Sequence, residues 1–212
     1  MPLLTRPFFE HPPQFVAPRL LGKLLVHRTP QGELSGRIVE VEAYLGPHHA
    51  TPDPAAHSFR GPTPRNQVLF GPAGHAYVYA IYGMYFCMNL SCEVAGQAGC
   101  VLIRALEPVA GIEQMLANRS LAPGSPPRQI ASGPGRLAQA LGLTRVAHNG
   151  LDTTSPRSPL QVRDDGFSLT HALVTPRIGI RHAVDWPLRF AMEGNRCVSG
   201  PRSLTGQRVP IG

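Results

Sequence analysis

The chain is short of several things, and each shortage narrows the reading. Nowhere do its 212 residues contain an apolar run long enough to span a bilayer, so no membrane helix is predicted. The opening stretch, MPLLTRPFFEHPPQF, has no basic start followed by a long apolar segment, so no signal peptide is read there. Both absences predict a cytoplasmic protein, nucleoid-associated if bacterial. Of the four cysteines, Cys87, Cys92, Cys100 and Cys197, no two form a C-x-x-C pair, and no H-x3-H partners them, so no structural zinc is expected. Cys87 lies in an apolar strand-like run and reads as a reduced core residue. Lysine is nearly missing: Lys23 stands alone, and the other 19 of the 20 basic residues are arginines.

The balance of charge is +7. A basic surface attracts polyanions, and the arginine fork suits phosphate, so the charge favours a nucleic-acid partner. An arginine-rich genome would account for much of the Arg/Lys bias by itself. Length predicts one domain.

Aromatic residues make up only 7% of the chain, yet the tyrosines are gathered. Tyr77, Tyr79, Tyr82 and Tyr85 fall within YVYAIYGMYFCMN (77–89), and Tyr44 follows a carboxylate pair in RIVEVEAYLG (37–46). In a strand, residues two apart share a face, so Glu40, Glu42 and Tyr44 point one way and Val39, Val41 and Ala43 the other. If the glutamates are buried, one must be ion-paired, hydrogen-bonded or raised in pKa, and such a group can act as a general base. A solvated strand face is the plainer reading of E-x-E. Tyr77, Tyr79 and Ile81 share a face as well, and stacking of bases on tyrosine is worth about 1–3 kcal/mol each. Tyr85 and Phe86 read as core, while Tyr82, beside Gly83, can project from a turn. His57, in AAHS, is a pocket candidate or an ordinary turn residue, and Arg65, in TPRN, a phosphate contact or a loop cap. Arg104 sits in the apolar run CVLIRAL and must meet an anion, a ligand or a structural partner such as Glu40 or Glu107. Asn89 needs partners if buried and could read a ligand edge.

The remaining pattern predicts a short helix or helix-to-strand passage over 15–27, a hairpin over 24–45, and a long proline-rich loop over 46–66. Strands are predicted near 75–81, 85–92 and 100–106, and a helix over 108–119. A surface loop over 120–135 and a helix over 136–143 follow. Polar turns then fill 144–168, and strands cover 177–183 and 187–192. The fold class predicted is α+β, a single domain with a curved, largely antiparallel sheet surrounded by helices. It spans residues 1–199, leaving 200–212 as a disordered tail.

The segments RIVEVEAYLG, AAHS, TPRN, YVYAIYGMYFCMN, CVLIRALEP, SGPGRLAQALG and RIGIRHAVDWPLRF occur in this order, and together they resemble the alkyladenine (3-methyladenine) DNA glycosylase family. The likeness runs from about FFEHPPQFVAPRLLG to residue 199. It implies a monofunctional base-excision repair enzyme, without metal or cofactor. Such an enzyme flips an alkylated or deaminated purine from duplex DNA and hydrolyses its N-glycosidic bond. By this resemblance Glu42 is the base that activates water, and Arg104 and the Ile178 carbonyl help to hold that water. Tyr44, His57 and Tyr79 enclose the flipped base, the His57 backbone amide donates to its edge, and Asn89 crowds the 2-amino group of guanine. Tyr82 is the wedge that enters the duplex from the minor groove. Thr63, Arg65, Tyr77, Met84 and Arg136 are candidate DNA contacts, Glu40 is structural, and the protein acts as a monomer on double-stranded DNA. The loop between AYLGP and AAHS is a few residues longer than the family pattern, and residues 144–172 match it poorly. A non-catalytic nucleic-acid binding module that stacks bases on tyrosine explains the charge and the aromatics equally well, but has no need of Glu42 or Arg104. A formyltransferase-like reading of the same sheet would require a further catalytic domain.

Overall fold

The protein is described by a computed structural model that covers residues 1–81, 83–201 and 204–211. It is an α+β domain built on one sheet, nine-stranded among these residues, with six short α-helices around it. Every strand pairing is antiparallel. No helix among the described residues is long and apolar enough to cross a membrane.

The sheet is organised by its longest strand. After α1 (Arg6–Phe9) and α2 (Pro13–Leu20), which starts on a proline and buries Val16, Ala17 and Leu20, the chain forms the predicted hairpin of β1 (Leu24–Thr29) and β2 (Gly32–Tyr44). One edge of β2 takes β5 (Gly99–Ala110). Its other edge is shared by β1 near the start and β8 (Arg189–Ala191) near the end. Strands β3 (Ala76–Ile81) and β4 (Tyr85–Cys92) extend the sheet beyond β5, so that β2, β5, β4 and β3 form a continuous floor. Val39, Val41 and Ala43 face the main core together with Val78, Met88, Val101 and Ile103. The opposite face carries Glu40, Glu42 and Tyr44. A smaller apolar cluster of Leu69, Tyr77, Ala98 and Cys100 lies on the site side, against Tyr44 and Tyr79.

Several expectations are corrected. The helix read over 108–119 is α3 (Ile112–Asn118), which begins late because β5 runs on to Ala110: Pro108 and Ala110 pair with Gly36 and Ser35, and Gly111 turns the chain at φ 71°. The 120–135 loop contains α4 (Pro127–Ala131), started by paired prolines, and α5 (Pro134–Ala140) follows. The turns over 144–168 contain α6 (Arg145–His148), capped by Thr144, and β6 (Leu160–Arg163) on β1. An unforeseen β7 (His171–Thr175) pairs with β8. Residues 207–210, expected in a disordered tail, form β9 (Gln207–Pro210) on the free edge of β7, where their backbone groups find partners. The 177–183 stretch is not a strand; it is an irregular segment whose backbone is used at the site. Tyr85, read as core, is 39% exposed.

Candidate active site

The proline-rich 46–66 loop folds over the floor without helix or strand. Gly46 opens it by passing so close to Gln97 that a Cβ would lie 1.9 Å from the Gln97 carbonyl oxygen. Asn66 then ties the two motifs of the loop together: its Nδ2 donates to the carbonyls of His57 (2.8 Å) and Gly61 (3.1 Å), and its Oδ1 accepts from the Thr63 N–H. The motif AAHS is therefore held by the last residue of TPRN. Beneath it lies a cavity of about 500 Å³, lined by Tyr44, His57, Tyr77, Tyr79, Asn89, Arg104 and Ile178 among others.

The carboxylates are fully buried behind the cavity lining, where Tyr44, Arg104 and Ile178 contact Glu42. Glu42 accepts two hydrogen bonds, from Tyr44 Oη at 2.8 Å on Oε2 and from the Ile178 N–H at 2.8 Å on Oε1, and its Oε1 is ion-paired with Arg104 Nη1 at 3.2 Å. Glu40 accepts from Arg104 Nε (3.0 Å), Arg189 Nε (2.7 Å) and both the Ser199 N–H (2.7 Å) and Oγ–H (2.9 Å). Burial pushes the Glu40 carboxyl up, but the two guanidiniums and the Ser199 hydrogen bonds outweigh it and hold the group below the usual glutamate range. Arg104 is thus shared between the glutamates, and their charges keep it protonated against its own burial. The ladder leaves Arg104 on β5 and Val39 on β2 unpaired; the Arg104 carbonyl accepts instead from Gly133 and the Val39 carbonyl from Met192, both at 2.9 Å. The alternative partner Glu107 accepts from Asn195.

The aromatic walls are coupled. Tyr77 and Tyr79 stack with centroids 5.2 Å apart, and His57 meets Tyr79 edge-on at 4.5 Å while its Nδ1 lies 3.0 Å from Tyr77 Oη. Packing and the nearby Arg65 charge hold His57 below the usual histidine range, so the ring is neutral at pH 7. Burial and the Glu42 charge raise the Tyr44 phenol, which remains a donor. Asn89 is buried, donating to the Tyr77 carbonyl (3.3 Å) and accepting from Cys100 Sγ (3.8 Å). Cys87 is buried as expected but lies in the cavity wall, and burial raises its thiol; that of Cys100 is pushed up to about 12.

The structure does not bring every candidate to the cavity. Arg65 stands outside, its guanidinium 5.5 Å from the Tyr79 ring centre, and Met84 is 72% exposed in the β3–β4 turn. Arg136, on α5, lines a separate cleft of about 1140 Å³ with Arg128, Arg196 and Glu193, which shares none of the residues around Glu42. Tyr82 lies outside the described residues. Ile178, whose carbonyl is expected to help hold the water, lines the cavity, and its N–H donates to Glu42. Sequence reasoning passed over Asp53, Arg177, Arg189 and Ser199. All four are buried, and the charged partner of each lies far off in sequence: Arg177 is 124 residues from Asp53, and Glu40 is 149 from Arg189 and 159 from Ser199, so the only local sign of the first three is a charged residue in apolar or proline-rich surroundings.

Known proteins resemble this chain over nearly its whole length. The methylpurine-DNA glycosylase family model matches residues 7–196. A protein of Koribacter versatilis named "Putative 3-methyladenine DNA glycosylase" is 55% identical over 201 residues, 95% of each chain. Proteins of the same name are 48% identical in Rhodopseudomonas palustris (94% of this chain, 89% of the relative) and 49% identical in Methanoculleus marisnigri (92% and 98%). With a match across nearly its whole length and a tyrosine-walled cavity backed by a buried glutamate, this chain belongs to the methylpurine-DNA glycosylase family.

Proposed function

We propose that the protein is a monofunctional DNA glycosylase that binds damaged double-stranded DNA as a monomer, flips a purine into the 500 Å³ cavity and hydrolyses its N-glycosidic bond with water activated by Glu42. The observation that carries this reading is the coordination of Glu42. A carboxylate can accept about four hydrogen bonds; this one accepts two, from Tyr44 and Ile178, and pairs with Arg104 through Oε1, which leaves an acceptor position on Oε2 for a water proton. The Arg104 guanidinium sets a positive charge 3.2 Å from Oε1, beside the expected base.

The walls suit the leaving group. A 3- or 7-alkylated purine is cationic, and tyrosine faces attract cations. A neutral His57 completes the enclosure without repelling that charge. Neutral lesions, hypoxanthine and ethenoadenine, need protonation of the departing base in addition. The test is a panel of duplexes carrying 3-methyladenine, 7-methylguanine, hypoxanthine or ethenoadenine, with free base measured by chromatography. Release from alkylated duplex supports the assignment; binding without release favours the stacking module instead.

Two substitutions probe the roles within this reading. Asn89 borders the cavity from a buried position on β4 and excludes the guanine amino group by crowding it. Asn89→Ala should therefore make excision of unmodified guanine measurable while lesion release continues; unchanged discrimination would remove Asn89 from that role. Tyr82→Ala should weaken flipping, seen as a single-turnover rate about tenfold or more below wild type, in line with base stacking worth about 1–3 kcal/mol. Equal rates and affinity would rule out the wedge.

A further inference from the structure

We propose that Asp53 and Arg177 are positioning residues that lock the base-enclosing loop and the Glu42 carboxylate into one arrangement. This inference rests on the glycosylase reading and extends it to two residues outside the reacting centre.

Both side chains are fully buried. They face each other as a fork: Arg177 Nη2 donates to Asp53 Oδ1 at 2.9 Å, and Nη1 donates to Oδ2. Paired forks of this kind fix orientation as well as distance. Each partner also holds backbone. Asp53 accepts from the N–H of Leu45 (3.3 Å), just past β2, and of Ala55 (3.0 Å), two residues before His57. Arg177 Nη1 donates to the Ala43 carbonyl at 3.0 Å. The pair therefore joins three stretches: the end of the strand that carries Glu42 and Tyr44, the loop that carries His57, and the irregular segment that begins at Arg177.

That third stretch is the one that touches the carboxylate. The residue after Arg177 is Ile178, whose N–H donates to Glu42 Oε1. The Arg177 guanidinium also lies over the Tyr44 ring, 4.6 Å from its centre, and Tyr44 Oη donates to Glu42 Oε2. Both hydrogen-bond donors on Glu42 are thus placed by Arg177, one through the chain and one through the ring. The Arg177 charge also opposes the burial and the Glu42 charge that make the Tyr44 phenol less acidic, and so keeps it a better donor. Stability alone is a weak account of the pair, because a buried ion pair is often no more stabilising than apolar side chains of the same volume. Moving the donors is a stronger one, because misplacing a reacting group by an ångström can cost about 100-fold in rate.

The experiment uses the full chain as wild type, Asp53→Asn and Arg177→Lys, the last keeping the charge but not the fork. Single-turnover release of 3-methyladenine from methylated duplex is measured with affinity for a duplex carrying an abasic-site analogue and with thermal melting. Both variants should lose about 100-fold in release rate at temperatures well below their melting transitions, with affinity for the analogue nearly unchanged. On a Tyr44→Phe background the further loss from Arg177→Lys should shrink, because part of its path to Glu42 is already gone. If a folded variant, either one, releases base at the wild-type rate, or if the rate loss only follows the unfolded fraction, the positioning role is overturned. A wild-type protein that releases no base overturns the glycosylase reading, and the positioning role with it.

Discussion

Glu42→Gln is expected to slow base release from alkylated duplex by about 10²–10⁴-fold, the range typical for loss of a positioned general base, while leaving DNA affinity largely intact. The amide has nearly the shape of the carboxylate but cannot take a proton from water at neutral pH. It also reverses part of the hydrogen-bond polarity. Hydrogen bonds from Tyr44 and Ile178 and the Arg104 ion pair converge on Glu42, and the amide offers them one neutral oxygen in place of two charged ones, with an NH2 donor in place of the other. That conflict should cost about 1–3 kcal/mol of stability, which a melting curve reads separately from the rate. Single-turnover release by chromatography and binding by gel shift distinguish the two effects. Wild-type release by the folded variant would remove Glu42 from the reaction.

Glu40→Ala is expected to be the more damaging change to the fold. Glu40 is the acceptor for Arg104, Arg189 and both donors of Ser199. Its loss leaves Arg189 without a carboxylate in a buried site, where Arg189 is 2% exposed, and leaves Arg104 with Glu42 alone. Breaking a buried ion pair from one side costs about 3–5 kcal/mol, equivalent to a melting temperature lower by about 6–20 °C for a chain of this size. Arg104 should then move toward Glu42, so base release should fall too. The pH dependence has a definite sign. The folded-state pKa of Glu40 is depressed, so its contribution is fully present above its ordinary value of 4.5 and is lost as the pH falls through the lower folded value. Wild-type melting temperatures should therefore drop in that acid window, and Glu40→Ala should flatten the drop. An unchanged melting temperature in the variant would show the network to be dispensable.

The parts of this architecture that were legible in the sequence are those with a local period. Alternation placed Glu40, Glu42 and Tyr44 on one face of β2 and Tyr77, Tyr79 and Ile81 on one face of β3, and those faces do border a common cavity. The paired-carboxylate problem was also visible, together with its solution in kind, since Arg104 in an apolar strand had to meet an anion. What was hidden is long-range. Arg104 had Glu40 and Glu107 as candidate partners and in fact bridges Glu40 and Glu42. Alternation in RIGIRHA suggested a strand, yet the Ile178 N–H goes to a side chain instead of a ladder, and Gly179 adopts φ 76°. Asp53 sits among prolines in a segment that reads as featureless, and nothing near it in sequence points to Arg177, 124 residues on. Strands β6, β7 and β9 are short, and their positions are decided by the neighbours available to pair with them.

The measurement that tests the central claim most directly is the product analysis of wild-type protein incubated with methylated duplex DNA under single-turnover conditions, with borohydride added in a parallel reaction. Hydrolysis by activated water predicts free methylated purine in amounts matching intact, alkali-labile abasic strands, and no protein–DNA adduct trapped by borohydride. Absence of free base, or a trapped adduct with strand cleavage, would contradict it.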